Sequence, residues 1–328
     1  MSSIDQVIAR SRQKGKFTER KRFTVARANA IRQMRQFALA GPFYYVLELI
    51  QSAVANGATY IDISAHEKDF VLSYVGGGYD LDELTRLFDF LFAAKADMSY
   101  SDLRQLALGV NAMMLMEPKE IVIESGDGTI EGTTRVVFQG GKDVVDMGTP
   151  EKPLRGTYVR ASGLNRKKVR SKSNLAPTEY GPAETRAIEE RCLCAPVPIL
   201  VNDRAPFGYS TLRTPSIYGY ERVISIDEGD LYGTIGIMER SGHTPAFKIL
   251  TYGAWIQTLS HSLLPGHRLG GIINFDGLNK TADHAAIVRD DRLGERVREV
   301  CVEGVAPEAT GGGEGEGGRA GEVRVRVV

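Results

Sequence analysis

At 328 residues the chain has room for two ordinary domains, each with its own core. Lys plus Arg and Asp plus Glu number 41 each, so the net charge is zero. That balance argues against nucleic-acid binding by bulk electrostatics but leaves room for a local basic patch.

No stretch approaches the ~20 apolar residues of a membrane span, and the Arg/Lys-rich N-terminus lacks an apolar signal core. A cytoplasmic protein is the expectation. Cys192, Cys194 and Cys301 make neither a disulfide framework nor a zinc spacing, and they read as small buried apolar residues.

Residues 1–16 are polar and basic and read as an arm. From Thr18 to Leu39, apolar residues recur at helical spacing. Gly41-Pro42 starts a second helix, Phe43 to Asn56, with Leu47, Ile50 and Val54 as its apolar stripe and Gly57 as its stop. Thr59–Ser64 and Phe70–Tyr74 alternate as a strand hairpin that ends in Gly76-Gly77-Gly78. A helix over 81–92 and an irregular polar loop over 93–106 follow. Gly109 then opens a short helix to Met116, and strands are expected at 120–124, 134–138 and 157–161. The expected class is α+β, with helices on one face of a mixed or antiparallel sheet.

The basic stretch 163–182 reads as a loop or hinge, which places a first domain over 17–182 and a second over 183–307. The second would hold a helix at 183–192 and strands near 196–201, 222–226, 232–238, 247–251 and 271–274. The glycine-rich segment 308–328 has a disordered composition.

The informative stretch is Glu48-Leu-Ile-Gln-Ser-Ala-Val-Ala-Asn-Gly-Ala-Thr59, followed by a strand. Glu48, Ser52 and Ala55 are spaced i, i+4, i+7 and share one helix face. The stretch resembles the first motif of the GHKL ATPases: gyrase, ninety-kilodalton heat-shock chaperones, histidine kinases and MutL proteins. Tyr74-Val-Gly-Gly-Gly-Tyr79 resembles their Asp-x-Gly-x-Gly loop, with Gly76 and Gly78 as its glycines. Arg104–Asn111 resembles their Gly-x-x-Gly-x-Gly, keeping only Gly109, and Gly156-Thr157 resembles the Gly-Thr that begins their closing strand. The four matches occur in the family's order.

The resemblance implies a GHKL (Bergerat) two-layer sandwich followed by a transducer-like α+β domain, binding ATP and Mg2+ with at most slow hydrolysis. Glu48 would orient water, Ser52 would hold the metal, and Gly76 and Gly78 would let the backbone approach adenine. Gly109 amides would cradle phosphate, and Thr157 would complete the nucleotide site. In the family motif Asn and Asp stand where this chain has Ser52 and Ala55, and Tyr74 replaces the Asp that reads the adenine amino group. Residues 270–290 are similar to part of the chaperone middle domain, so Arg289, or else Lys280, would reach the terminal phosphate. His243, His261, His267 and His284 read as ordinary histidines without metal spacing. The expected partners are a nucleotide, an unidentified protein and a second copy of the chain, with no membrane and no clear nucleic acid. The alternative is a non-catalytic GHKL-fold scaffold for protein contacts.

Overall fold

Two neighbouring six-residue stretches of alternating apolar character set the first hairpin. β1 (Tyr60–Ala65) buries Ile61, Ile63 and Ala65, and β2 (Phe70–Val75) buries Phe70, Leu72 and Tyr74. They pair antiparallel, with Ala65 opposite Phe70. The computed structural model describes residues 27–37, 39–92, 98–139, 145–170, 181–192, 194–206, 213–220, 222–237, 246–260, 268–281, 286–288 and 292–304, with positions 175, 177, 211, 263 and 284.

β3 (Glu120–Asp127), β4 (Thr134–Gln139), β5 (Val145–Gly148), β6 (Arg155–Ser162) and β7 (Ile199–Val201) extend the hairpin. The seven-stranded sheet runs β5-β4-β3-β6-β2-β1-β7, and only the β1–β7 pairing is parallel. Asp62, Ser64, Val71 and Ser73 point away from the core and stay half-buried, so one face of the sheet carries the packing.

The helices are α1 (Arg27–Phe37), α2 (Tyr45–Ala55), α3 (Leu81–Thr85), α4 (Ser101–Met113), α5 (Lys167–Arg170) and α6 (Ala183–Arg191). α2 is buried on every side from Tyr45 to Ala53, Glu48 included, and ends before Gly57 at φ 77°. Its Leu49 meets α4, whose Leu103, Leu106, Ala107 and Val110 join the same core. Asp80 and Glu83 form a capping box on α3.

A second sheet, in the order β11-β10-β12-β9-β8, is built from β8 (Arg222–Glu228), β9 (Leu231–Ile237), β10 (Phe247–Thr251), β11 (Ala254–Leu259) and β12 (Leu269–Phe275). Its separate core includes Phe247, Ile249 and Ile273, with Leu293 and Val297 from α7 (Arg292–Gly304). The described residues are thus α+β with two sheets.

Several expectations change here. Residues 183–201 belong to the first core rather than the second: α6 contributes Ala187 and Ile188, and β7 contributes Ile199 and Val201. The expected irregular loop is in part helical, with a 3-10 turn at Met98–Tyr100 leading into α4. Leu103, Ala107 and Val110 supply the helical spacing that the surrounding polar residues masked. β5, β11 and α7 are additional elements. The arm 1–16, the segment 308–328 and Arg289 lie outside the described residues.

The two units meet along β11. The Arg191 guanidinium sits 4.3 Å above the Trp255 ring and donates to the Ile256 carbonyl at 3.0 Å. Among the described residues no helix is long and apolar enough to cross a membrane.

Candidate functional site

Glu48 lies in the first turn of α2, only 3% exposed, and its partners come from both units. The loop after β12 brings Lys280 Nζ to 3.4 Å from one carboxylate oxygen and His284 Nδ1 to 3.0 Å from the other. Lys280 also donates to Gln51 Oε1 at 2.8 Å. The Gln105 amide, carried by α4, donates to Glu48 and accepts from Lys280 at 3.1 Å. Lys280 is 7% exposed, so this is a buried ion pair satisfied by amides and an imidazole rather than by bulk water.

Burial would raise the Glu48 carboxyl, but the charges and hydrogen bonds of His284 and Lys280 outweigh it and hold it at about 2. Burial lowers His284 below its ordinary value; Glu48 pulls the other way, while Lys280 and Arg104 reinforce the lowering. At neutral pH the ring is therefore neutral and donates Nδ1–H, so Lys280 supplies the full positive charge there, and the charge of His284 acts on Glu48 only in acid, once the ring protonates. A carboxylate held this low is a poor proton acceptor, since a general base works best with a pKa near the operating pH.

One turn further along α2, tyrosines fill the space in front of the glycine hairpin. The Ser52 hydroxyl lies 3.2 Å from Tyr79 Oη, and Tyr74 Oη donates to Asn56 Oδ1 at 3.0 Å. Asn56 in turn donates to Asp102 Oδ2 at 2.8 Å, at the start of α4. Below them Ser125 Oγ accepts from the Tyr79 amide and lies 2.8 Å from Thr157 Oγ1. Tyr74 is 5% exposed and Tyr79 3%. Burial pushes the Tyr74 phenol up to about 12, against hydrogen bonds to Thr157 and Tyr79, so it stays protonated and neutral.

The glycines serve chain packing here. A Cβ on Gly76 would lie 3.1 Å from the Ala58 backbone, one on Gly77 2.9 Å from the Asn56 side chain, and one on Gly78 3.0 Å from the Gly126 backbone. The expected approach to adenine is an approach to the chain's own α2 terminus and β3.

Gly109 needs a correction. It lies in the third turn of α4, not at a helix start, so its amide belongs to a helix interior and cannot cradle phosphate. It is small because α2 and α4 cross there: a Cβ would come within 2.6 Å of Leu49 Cδ2 and 3.1 Å of the Tyr45 carbonyl.

Glu48, Ser52, Gly76, Gly78 and Thr157 thus line one continuous region at the β2 C-terminal end of the sheet, and Gly109 faces another side of α2. This donor set does not fit a magnesium ion, because the Ser52 hydroxyl is engaged by Tyr79 and Glu48 is neutralised by Lys280. Among the described residues no group of three His, Cys, Asp or Glu side chains could hold a metal. The region does not fit a nucleotide either, since its polar groups are bonded to one another: Tyr74 and Tyr79 hold Asn56 and Ser52, and Gln105, Lys280 and His284 enclose Glu48. His284, Gln51, Gln105, Asn56 and Asp102 are the participants that sequence reasoning missed. No known protein family and no curated protein matches the chain.

Proposed function

We propose that the chain is a non-catalytic GHKL-type scaffold, in which the second unit is fastened to the first through the position that a water-activating Glu would hold. One observation carries the reading: Glu48 is closed in a buried network with Lys280 and His284, contributed by the other unit. The helix, glycine hairpin and Gly156-Thr157 strand keep the family's order, which supports the kinship. Their polar groups bond one another, which supports the loss of the nucleotide. Tyr60 and Val75, opposite each other on β1 and β2, are 37% and 47% exposed and offer apolar surface for a protein contact.

The double variant Ser52→Asn/Tyr74→Asp tests this reading. It restores the family's residues at two positions, but on the scaffold reading it puts a carboxylate where a neutral phenol fills the space. An uncompensated buried charge of this kind is expected to destabilise by several kcal/mol, with no gain in ATP affinity over wild type. A stable double variant with about tenfold tighter ATP binding would overturn the scaffold reading in favour of a nucleotide pocket.

A further inference from the structure

The glycine hairpin occupies one end of the seven-stranded sheet, and the opposite end is built differently. There the β1–β2 turn (His66 to Asp69), the approach to β3 at Lys119, the segment after β6 and the turn after β7 all converge, because Ala65, Phe70, Glu120, Ser162 and Val201 are the strand ends on that side. Between them lies a cleft of about 980 Å³. Its apolar floor is formed by Phe43, Leu164 and Ala183, each under 5% exposed. Its exposed rim carries Lys68, Lys119, Lys167, Arg170 and Arg204. Among the described lining residues Glu67 is the single carboxylate.

The wall is fixed by Arg166. Its Nε donates to buried Glu184 at 2.7 Å, and its other two nitrogens donate to the carbonyls of Glu67 at 2.7 Å and Asp69 at 3.3 Å. One guanidinium therefore ties the post-β6 segment to the hairpin turn and to α6. With Arg166 balanced by Glu184, the described lining residues carry more cations, Lys68, Lys119, Lys167 and Arg170 among them, than carboxylates. The N-terminus of α6, at Pro182 and Ala183, also lines the cleft and has no side-chain cap, which adds the positive end of a helix dipole. For a chain of zero net charge, this is a concentration of one sign at one place.

We infer that this cleft binds a small organic phosphate: an apolar or aromatic body seated on the Phe43–Leu164 floor, with its phosphoryl oxygens held by the lysines and arginines of the rim. The volume is that of a small-molecule site, and an apolar floor with few polar anchors is how such sites combine affinity with orientation. Cations on four separate chain segments converge on one space, which suits a compact multiply charged group better than an extended polymer.

The probe is 1-naphthyl phosphate, titrated calorimetrically at low and moderate salt, with 1-naphthol and inorganic phosphate as the separate halves. Naphthyl phosphate is expected to bind more tightly than either half and to weaken as salt rises. The double reversal Lys119→Glu/Arg170→Glu, both exposed positions, is expected to weaken it at least tenfold, whereas Arg222→Glu on β8 leaves it unchanged. Equal affinity for naphthol, indifference to the double reversal, or binding confined to an oligonucleotide or an acidic peptide would each overturn the assignment. None of these results depends on whether the hairpin end of the sheet admits a nucleotide.

Discussion

Removing one charge from the Glu48–Lys280 pair should cost far more than removing both. In Lys280→Met, Glu48 keeps His284 and the Gln105 amide but loses its full positive neighbour, and Gln51 Oε1 loses its donor at 2.8 Å. Both charges are under 10% exposed, so solvent screens little. Breaking such a pair from one side costs about 3–5 kcal/mol; the two donors left on Glu48 place this case near about 3 kcal/mol. Glu48→Met strands the ammonium instead and should cost a similar amount. The double variant, with two apolar side chains filling the space, should fall short of the sum by about 2–3 kcal/mol. Urea unfolding followed through Trp255 fluorescence reads this directly, because the chain has one tryptophan and its ring lies under Arg191 of the other unit. Additive single effects, or singles within about 0.5 kcal/mol of wild type, would refute a closed ion pair joining the two units.

Acid should weaken the protein in two windows. The unfolded chain protonates its histidine near pH 6.5 while the buried ring resists, so His284 lowers stability as pH falls below 6.5. The contribution of Glu48 is present above its unfolded value of 4.5 and is lost as pH falls towards about 2, a difference of about 3 kcal/mol. Subtracting the stability profile of Glu48→Gln from that of wild type isolates the second window; a Glu48-dependent slope near pH 7 instead would mark a raised carboxyl suited to base catalysis. Gly109→Ala gains roughly 1 kcal/mol of helix propensity but drives a methyl into Leu49, so a net loss of about 1–2 kcal/mol is expected. A stabilised variant with an unchanged urea profile slope would show that α2 and α4 do not cross tightly at that glycine.

Elements with a clean periodicity were legible in the sequence. The β1–β2 hairpin follows its two-residue alternation, and α2 stops at Gly57, where a left-handed φ of 77° favours glycine. α4 was legible only in its second half, because Ser101, Asp102, Arg104 and Gln105 dilute its apolar positions. Two of those polar residues make contacts across the candidate site: Asp102 holds Asn56, and Gln105 holds Glu48. The site was half legible. Local spacing put Glu48 and Ser52 on one helix face, but Lys280 and His284 lie 232 and 236 residues from Glu48, and no pattern along the chain announces such a contact. The cleft at the far end was hidden for a related reason, since its cations are scattered over turns and α5, which only the sheet topology gathers.

The claim that the hairpin end is closed to nucleotides is tested most directly by titrating ATP with magnesium into Lys119→Glu/Arg170→Glu. That background removes anion binding at the opposite end of the sheet and leaves Glu48, Ser52, Tyr74 and Tyr79 intact. The account predicts no binding heat up to about 1 mM ATP. Binding with a micromolar Kd would contradict it and would mean that Lys280, His284 and the tyrosines give way to a nucleotide.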